Sequence, residues 1–167
     1  PLWLIGGGAM LVSLALCAII SLAMAAALVW FSSNREENAD EATQAVVRVR
    51  ISLADGRGGT GVAAEMLAPK WFDKDADLSD GQNLEQLRQA IDLAVDLYRI
   101  RGMATPFAFF ADTYRDQCAR GAALKLNPLV ASYGPALLDR AIIDALGRTI
   151  GLSFADVIRA NLTGIAL

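Results

Sequence analysis

The chain has 167 residues, 54% of them hydrophobic, with 15 Lys plus Arg, 18 Asp plus Glu, two Cys and no His. Without histidine no Ser-His-Asp triad, Cys-His dyad or His-rich zinc site can be assembled, which leaves carboxylates, Lys, Tyr and Cys as catalytic groups. A net charge of −3 gives no broad cationic surface for counterion release from a polyanion, so nucleic acid is not expected as a partner.

Charge is unevenly spread: every charged residue lies after Asn34. From Leu2 to Phe31 nothing is more polar than Ser13 and Ser21. As a helix this run would reach roughly 45 Å, more than the ~20 residues that cross a bilayer require. The expectation is an apolar, transmembrane-like helix over residues 1–31, in contact with membrane lipid through residues 2–31, with Trp3 and Trp30 at the two interfaces. That implies a single-pass membrane location, or a cytoplasmic one if the apolar segment is an artefact. Ala23-Met24-Ala25 offers the rival reading of a signal-peptide cleavage site, although no cationic region precedes it. Residues 32–44 are polar and acidic and read as a linker. Cys17 and Cys118 form no disulfide framework.

Val47, Val49, Ile51 and Leu53 alternate with Arg48, Arg50 and Ser52, the two-residue period of a strand with one aliphatic face. Asp55-Gly56 supplies a turn, and Thr60 to Met66 returns as the second strand of an antiparallel hairpin. Lys70-Trp71-Phe72 then concentrates two aromatics beside a cation in a loop, which either closes the gap between sheet and helices or faces a ligand.

Ser79 with Gln82 is a capping-box pattern, followed by Leu84, Leu87, Ile91, Ala94, Val95 and Tyr98 at helical spacing up to a stop at Gly102. Thr105-Pro106 opens the next helix, with Phe107, Phe110, Ala111, Tyr114 and Cys118 as its expected buried stripe. Asn127-Pro128 ends that helix or opens another. A third long helix runs to Arg148 with Leu137, Leu138, Ala141, Ile142, Ala145 and Leu146 inward, and Ser153 with Asp156 starts a short one. Asp139 and Asp144 are about 140° apart on that long helix and do not converge as an acid–base pair; Arg140 with Asp144 reads as an ordinary i, i+4 ion pair. Strands followed by helices make the fold class α+β: an antiparallel hairpin or meander, then a helical bundle, preceded by the long apolar helix.

The hairpin around Val46-Val47-Arg48-Val49-Arg50-Ile51 and Asp55-Gly56-Arg57-Gly58-Gly59-Thr60-Gly61, together with Ala136-Leu137-Leu138-Asp139-Arg140-Ala141-Ile142-Ile143-Asp144-Ala145-Leu146-Gly147-Arg148 and Gly151-Leu152-Ser153-Phe154, resembles the N-terminal capping domain of the enolase superfamily, in its mandelate racemase and muconate lactonizing branch. The resemblance spans residues 45–167. It implies a domain that closes over a (β/α)8 barrel and shapes specificity, while the barrel holds Mg²⁺ and the bases that take a proton next to a carboxylate. The chain is then a truncated relative with no catalytic, metal or cofactor residues of its own, its parent activity being that of a racemase, dehydratase or cycloisomerase. Its partner would be a barrel in a missing C-terminal part or on another chain, and Lys70, Trp71 and Phe72 would reach toward the substrate. The chain departs from the family in having Val62, not Glu, after Gly59-Thr60-Gly61, and in carrying the apolar segment where the first of three strands is expected. The alternative function is a membrane-tethered protein-interaction module without enzymatic activity.

Overall fold

The computed structural model describes residues 23–34 and 42–165. Three strands form an antiparallel meander: β1 (Ala23–Asn34), β2 (Ala42–Ser52) and β3 (Gly58–Met66), with β2 in the centre. Five helices follow: α1 (Asp80–Arg101), α2 (Pro106–Ala123), α3 (Pro128–Ala131), α4 (Tyr133–Ile150) and α5 (Phe154–Arg159). The class is α+β, with sheet first and helices second.

The first strand corrects two expectations. Residues 23–31 are not the end of an apolar helix but most of β1, which pairs with β2 from Ala23 opposite Ser52 to Asn34 opposite Ala42. The linker expected over residues 32–44 also shrinks, since Ser32 to Asn34 close β1 and Ala42 to Gln44 open β2. The sheet therefore has the first member that the sequence was expected to lack. An all-apolar run has no period to read, and Ala-rich composition alone favours helix; the open edge of β2 supplies a hydrogen-bonding partner that overrides it. The part of the expected helix over residues 1–22, and the acidic residues 35–41, lie outside the described residues. Among the described residues no helix is long and apolar enough to cross a membrane.

On β2 the two-residue period behaves as expected: Ala45, Val47, Val49 and Ile51 are fully buried, while Arg48 and Arg50 are exposed. Their buried face packs under α4, which contributes Leu137, Leu138, Ala141, Ile142, Ala145 and Leu146, none of them solvent-accessible. The approach of α4 to β3 is unusually close because Gly59 and Gly61 place no side chain between them. A Cβ on Gly61 would lie 2.1 Å from the Ala141 carbonyl oxygen and 2.3 Å from the Ala145 nitrogen. Gly134 lets α4 approach α1 in the same way, 2.1 Å from a would-be Cβ to the Ala90 carbonyl oxygen. Glycine inside a strand commonly marks such backbone contacts.

The helix ends follow the sequence. Ser79 caps α1 through its side chain, which accepts from the Gln82 N–H at 3.3 Å, and the Gln82 side chain accepts from the Ser79 N–H at 2.7 Å. Gly102, at φ 74°, terminates the helix. Ser79→Ala should lower the unfolding free energy by about 1 kcal/mol in urea titration, with no change in the denaturant slope. Thr105 caps α2, Asn127 caps α3 and Ser153 caps α5.

The buried stripe of α2 is not the expected one. Phe109, Thr113, Gln117 and Gly121 face the core, whereas Phe107, Phe110, Tyr114 and Cys118 are half-buried and Ala111 is exposed. Two polar residues take core positions with their donors bonded: Thr113 donates to the Phe109 carbonyl at 2.7 Å, and the Gln117 amide nitrogen donates to the carbonyls of Ala90 and Ala131 at 3.0 and 2.9 Å, while the Gln117 Oε1 is buried without a partner. Gln117 thereby ties α2 to α1 and α3.

Candidate functional site

The loop between β3 and α1 carries Lys70, Trp71 and Phe72, and the structure gives the three separate roles. Lys70 sits in the left-handed region at φ 61°. Its backbone N–H donates to Asn83 Oδ1 at 3.0 Å, and its ammonium group donates to the carbonyl of Asp75 at 2.7 Å and to that of Leu78. The cation therefore closes the loop on itself. Phe72 is wedged against the helices, its ring 5.0 Å from and nearly perpendicular to that of Tyr133, and its carbonyl accepts from Asn127 Nδ2 at 3.1 Å. Trp71 alone projects, 72% exposed. The buried Asn83, 3% exposed, anchors this frame from the first turn of α1 and donates onward to Gln86 at 3.1 Å.

Beside Phe72 an open groove of about 570 Å³ runs along the outer face of α4. Its walls include Leu129, Ser132 and Ala136, and Arg140 bridges to Glu65 of β3 at 2.9 Å across one side. Arg140 is thus not paired with Asp144 as its spacing suggests. Asp144 instead accepts from the Val62 N–H at 2.9 Å, covering the free edge of β3, and binds Arg148 at 2.9 Å. Tyr133 reinforces the same edge by donating to the Met66 carbonyl at 3.0 Å. Burial, and secondarily the negative charge of Glu65, hold the Tyr133 phenol above its ordinary range, so it acts as a donor and not as a base.

Asp139 is the perturbed carboxyl. It lies on α4 and accepts a hydrogen bond from the Tyr98 hydroxyl of α1 at 2.8 Å. Burial pushes its carboxyl up to about 6, against the smaller opposing effect of the Tyr98 hydrogen bond. The Tyr98 hydroxyl is raised in turn, by burial first and by the Asp139 charge second. Sequence reasoning kept Asp139 apart from Asp144 and gave it no partner, and no local signal could have paired it with a tyrosine 41 residues earlier. Its flanks, Leu138, Ile142 and Ile143, were the one available hint of an apolar setting.

Asp139 and Asp144 point to different partners and do not form a dyad. Among the described residues no group of three or more carboxylates or thiols could hold a metal. These residues do not fit Mg²⁺, which needs several oxygen ligands around one point. Compared with family models, curated proteins and solved structures, the chain gives no match.

Proposed function

We propose that the chain carries a capping domain of the enolase-superfamily type, which closes over a barrel active site lying outside residues 23–165. The order of elements supports this reading: a three-stranded meander, then a helical bundle, with a braced loop between them that presents Trp71 outward. Part of the apolar segment, residues 23–31, lies in the first of the three strands. In this reading the chain contributes shape and water exclusion, through Trp71, to a reaction whose Mg²⁺ ligands and bases belong to the barrel; the reaction removes a proton next to a carboxylate.

The test begins with the coding sequence beyond Leu167. Continuation into about 200 residues of alternating strand and helix patterns supports the cap, whereas a continuation without them removes its barrel unless another chain supplies one. In the joined protein Trp71→Ala should raise KM for the carboxylate substrate while unfolding shifts by less than ~0.5 kcal/mol. An unchanged KM would place Trp71 away from the substrate.

A second reading, a protein-interaction module without catalysis, draws on the apolar side chains left exposed near α4 and α5: Phe154 at 67% and Leu129 at 56%. A lipid anchor through residues 2–31 belongs to this reading only in its residues 2–22. Detergent-free fractionation of the full chain tests that anchor, and recovery in the soluble fraction would remove it.

A further inference from the structure

The sheet has two edges, and the fold treats them differently. At the β3 edge, side chains occupy outward backbone groups: the Val62 N–H donates to Asp144 at 2.9 Å, the Met66 N–H to Glu65 Oε1 at 3.3 Å, and the Met66 carbonyl accepts from the Tyr133 hydroxyl at 3.0 Å. Such plugs keep a further strand from adding there. The other edge is β1, 12 residues long, with β2 on one side and, among the described residues, no strand on the other. From Ala23 to Asn34 it has no charged residue, no proline and no glycine, and its register irregularity is confined to the Met24/Ala26 end. The devices that ordinarily blunt an edge strand are missing along the rest of it.

The ladder fixes which backbone groups of β1 face outward. In an antiparallel sheet the N–H and carbonyl of one residue point to the same side, and successive residues alternate. Val62 and Met66 point away from β2, so Gly61, Ala63 and Glu65 are the residues that bond it, opposite Val49, Val47 and Ala45. Gln44, Val46, Arg48 and Arg50 of β2 therefore bond β1, at Ser32, Trp30, Leu28 and Ala26. That leaves the N–H and carbonyl groups of Ala27, Val29, Phe31 and Ser33 turned to the open edge.

This edge is complementary to itself. A two-fold axis normal to the sheet lays the strand antiparallel against its own copy. With Trp30 opposite Trp30, Val29 meets Phe31 and Ala27 meets Ser33, so every outward residue finds a partner and about eight backbone hydrogen bonds form. Moving the axis by one residue to Val29 or Phe31 loses a pair. The strand carries no charge, so no like charges are opposed across the axis.

We propose that β1 pairs antiparallel with β1 of a second copy about a two-fold axis at Trp30, joining the two sheets into one of six strands. Both helical layers then lie on the same side of it. Its outer edges are the two plugged β3 strands, so assembly stops at the dimer. The proposal is independent of the capping reading.

Sedimentation equilibrium of the full chain should give twice the chain mass, and amide exchange should find the N–H groups of Ala27, Val29, Phe31 and Ser33 protected. Val29→Pro removes an outward N–H and none that β2 uses, a change that edge strands tolerate. It should leave the far-ultraviolet dichroism unchanged and raise the dimer dissociation constant about a hundredfold, roughly tenfold for the bond lost by each copy. Leu28→Pro, which removes an N–H bonded to β2, should destabilise the monomer itself. A second measurement does not depend on the proline variants folding. In a Cys17→Ser, Cys118→Ser background, Trp30→Cys should cross-link to its own copy on mild oxidation, because opposed residues of this kind bring their Cα atoms to about 4.5 Å. Asn34→Cys, roughly 27 Å along the strand from its copy, should not. A monomer, open-ended aggregates, equal cross-linking at the two positions, or a dimer unaffected by Val29→Pro would overturn the proposal. Protected edge amides in a monomer would overturn it too, and would assign the edge to another segment of the same chain.

Discussion

Gly61→Ala is expected to be among the most damaging single-methyl additions in the molecule, lowering the unfolding free energy by about 3 kcal/mol or more. The new Cβ would stand 2.1 Å from the Ala141 carbonyl oxygen, 2.3 Å from the Ala145 nitrogen and 2.8 Å from the Ala145 Cα. All three are backbone atoms of α4, so no rotamer change relieves the clash and the helix must lift from the sheet by roughly an ångström to restore ordinary contact distances. Lifting it also strains the bonds that α4 makes to β3, from Val62 to Asp144, from Tyr133 to Met66 and from Arg140 to Glu65. Gly59→Ala provides the contrast. There the nearest atom, at 2.1 Å, is the Thr149 hydroxyl oxygen, which can rotate away, although it gives up a 2.6 Å bond to the Ala145 carbonyl; the cost should be about 1 kcal/mol. Urea unfolding of the two variants side by side decides the matter. A smaller loss for Gly61→Ala than for Gly59→Ala would mean that the helix does not ride on the strand backbone.

The same glycines show where sequence patterns stop informing. The stretch from Gly56 to Gly61 reads as a turn, and Gly56, at φ 87°, does serve one, but Gly59 and Gly61 are strand residues whose missing side chains matter to a helix about eighty positions later. Features written in neighbouring residues were legible: the box Ser79–Gln82, the cap Thr105 before Pro106, and the alternation of Val47, Val49 and Ile51. Features that depend on a distant partner were not. The β1 segment carries no polarity contrast, so helix and strand look alike until β2 is beside it. On α2 the aromatic residues suggest one inward face, yet hydrogen bonds from Gln117 and Thr113 turn the helix by about one residue and leave Phe107, Phe110 and Tyr114 as a half-covered ladder. In the loop, Trp71 and Phe72 look equivalent in sequence; only the position of Tyr133 and Asn127 buries one and leaves the other outside.

Asp139→Asn should make the protein more stable at neutral pH, by about 2 kcal/mol after allowance for partial exposure, and should leave stability nearly unchanged near pH 3.5. In the folded chain the Asp139 carboxyl sits at about 6 because burial penalises its charged form, while in the unfolded chain it returns to about 3.9. Between those values the folded state holds more protons than the unfolded one, so stability declines as pH rises through that window and is level above it. The direction is opposite to that of a salt-bridged carboxylate. Asparagine presents the same acceptor to Tyr98 and has no charge to desolvate, so the decline attributable to this site should vanish. Asp92, also raised, by burial first and then by repulsion from Asp96 and Glu85, adds a slope of the same sign, which is why the difference between wild type and variant carries the test and not either curve alone. Equal stability of the two proteins at pH 7.5, or a less stable variant, would show that the Tyr98 bond to the ionised carboxylate outweighs its burial.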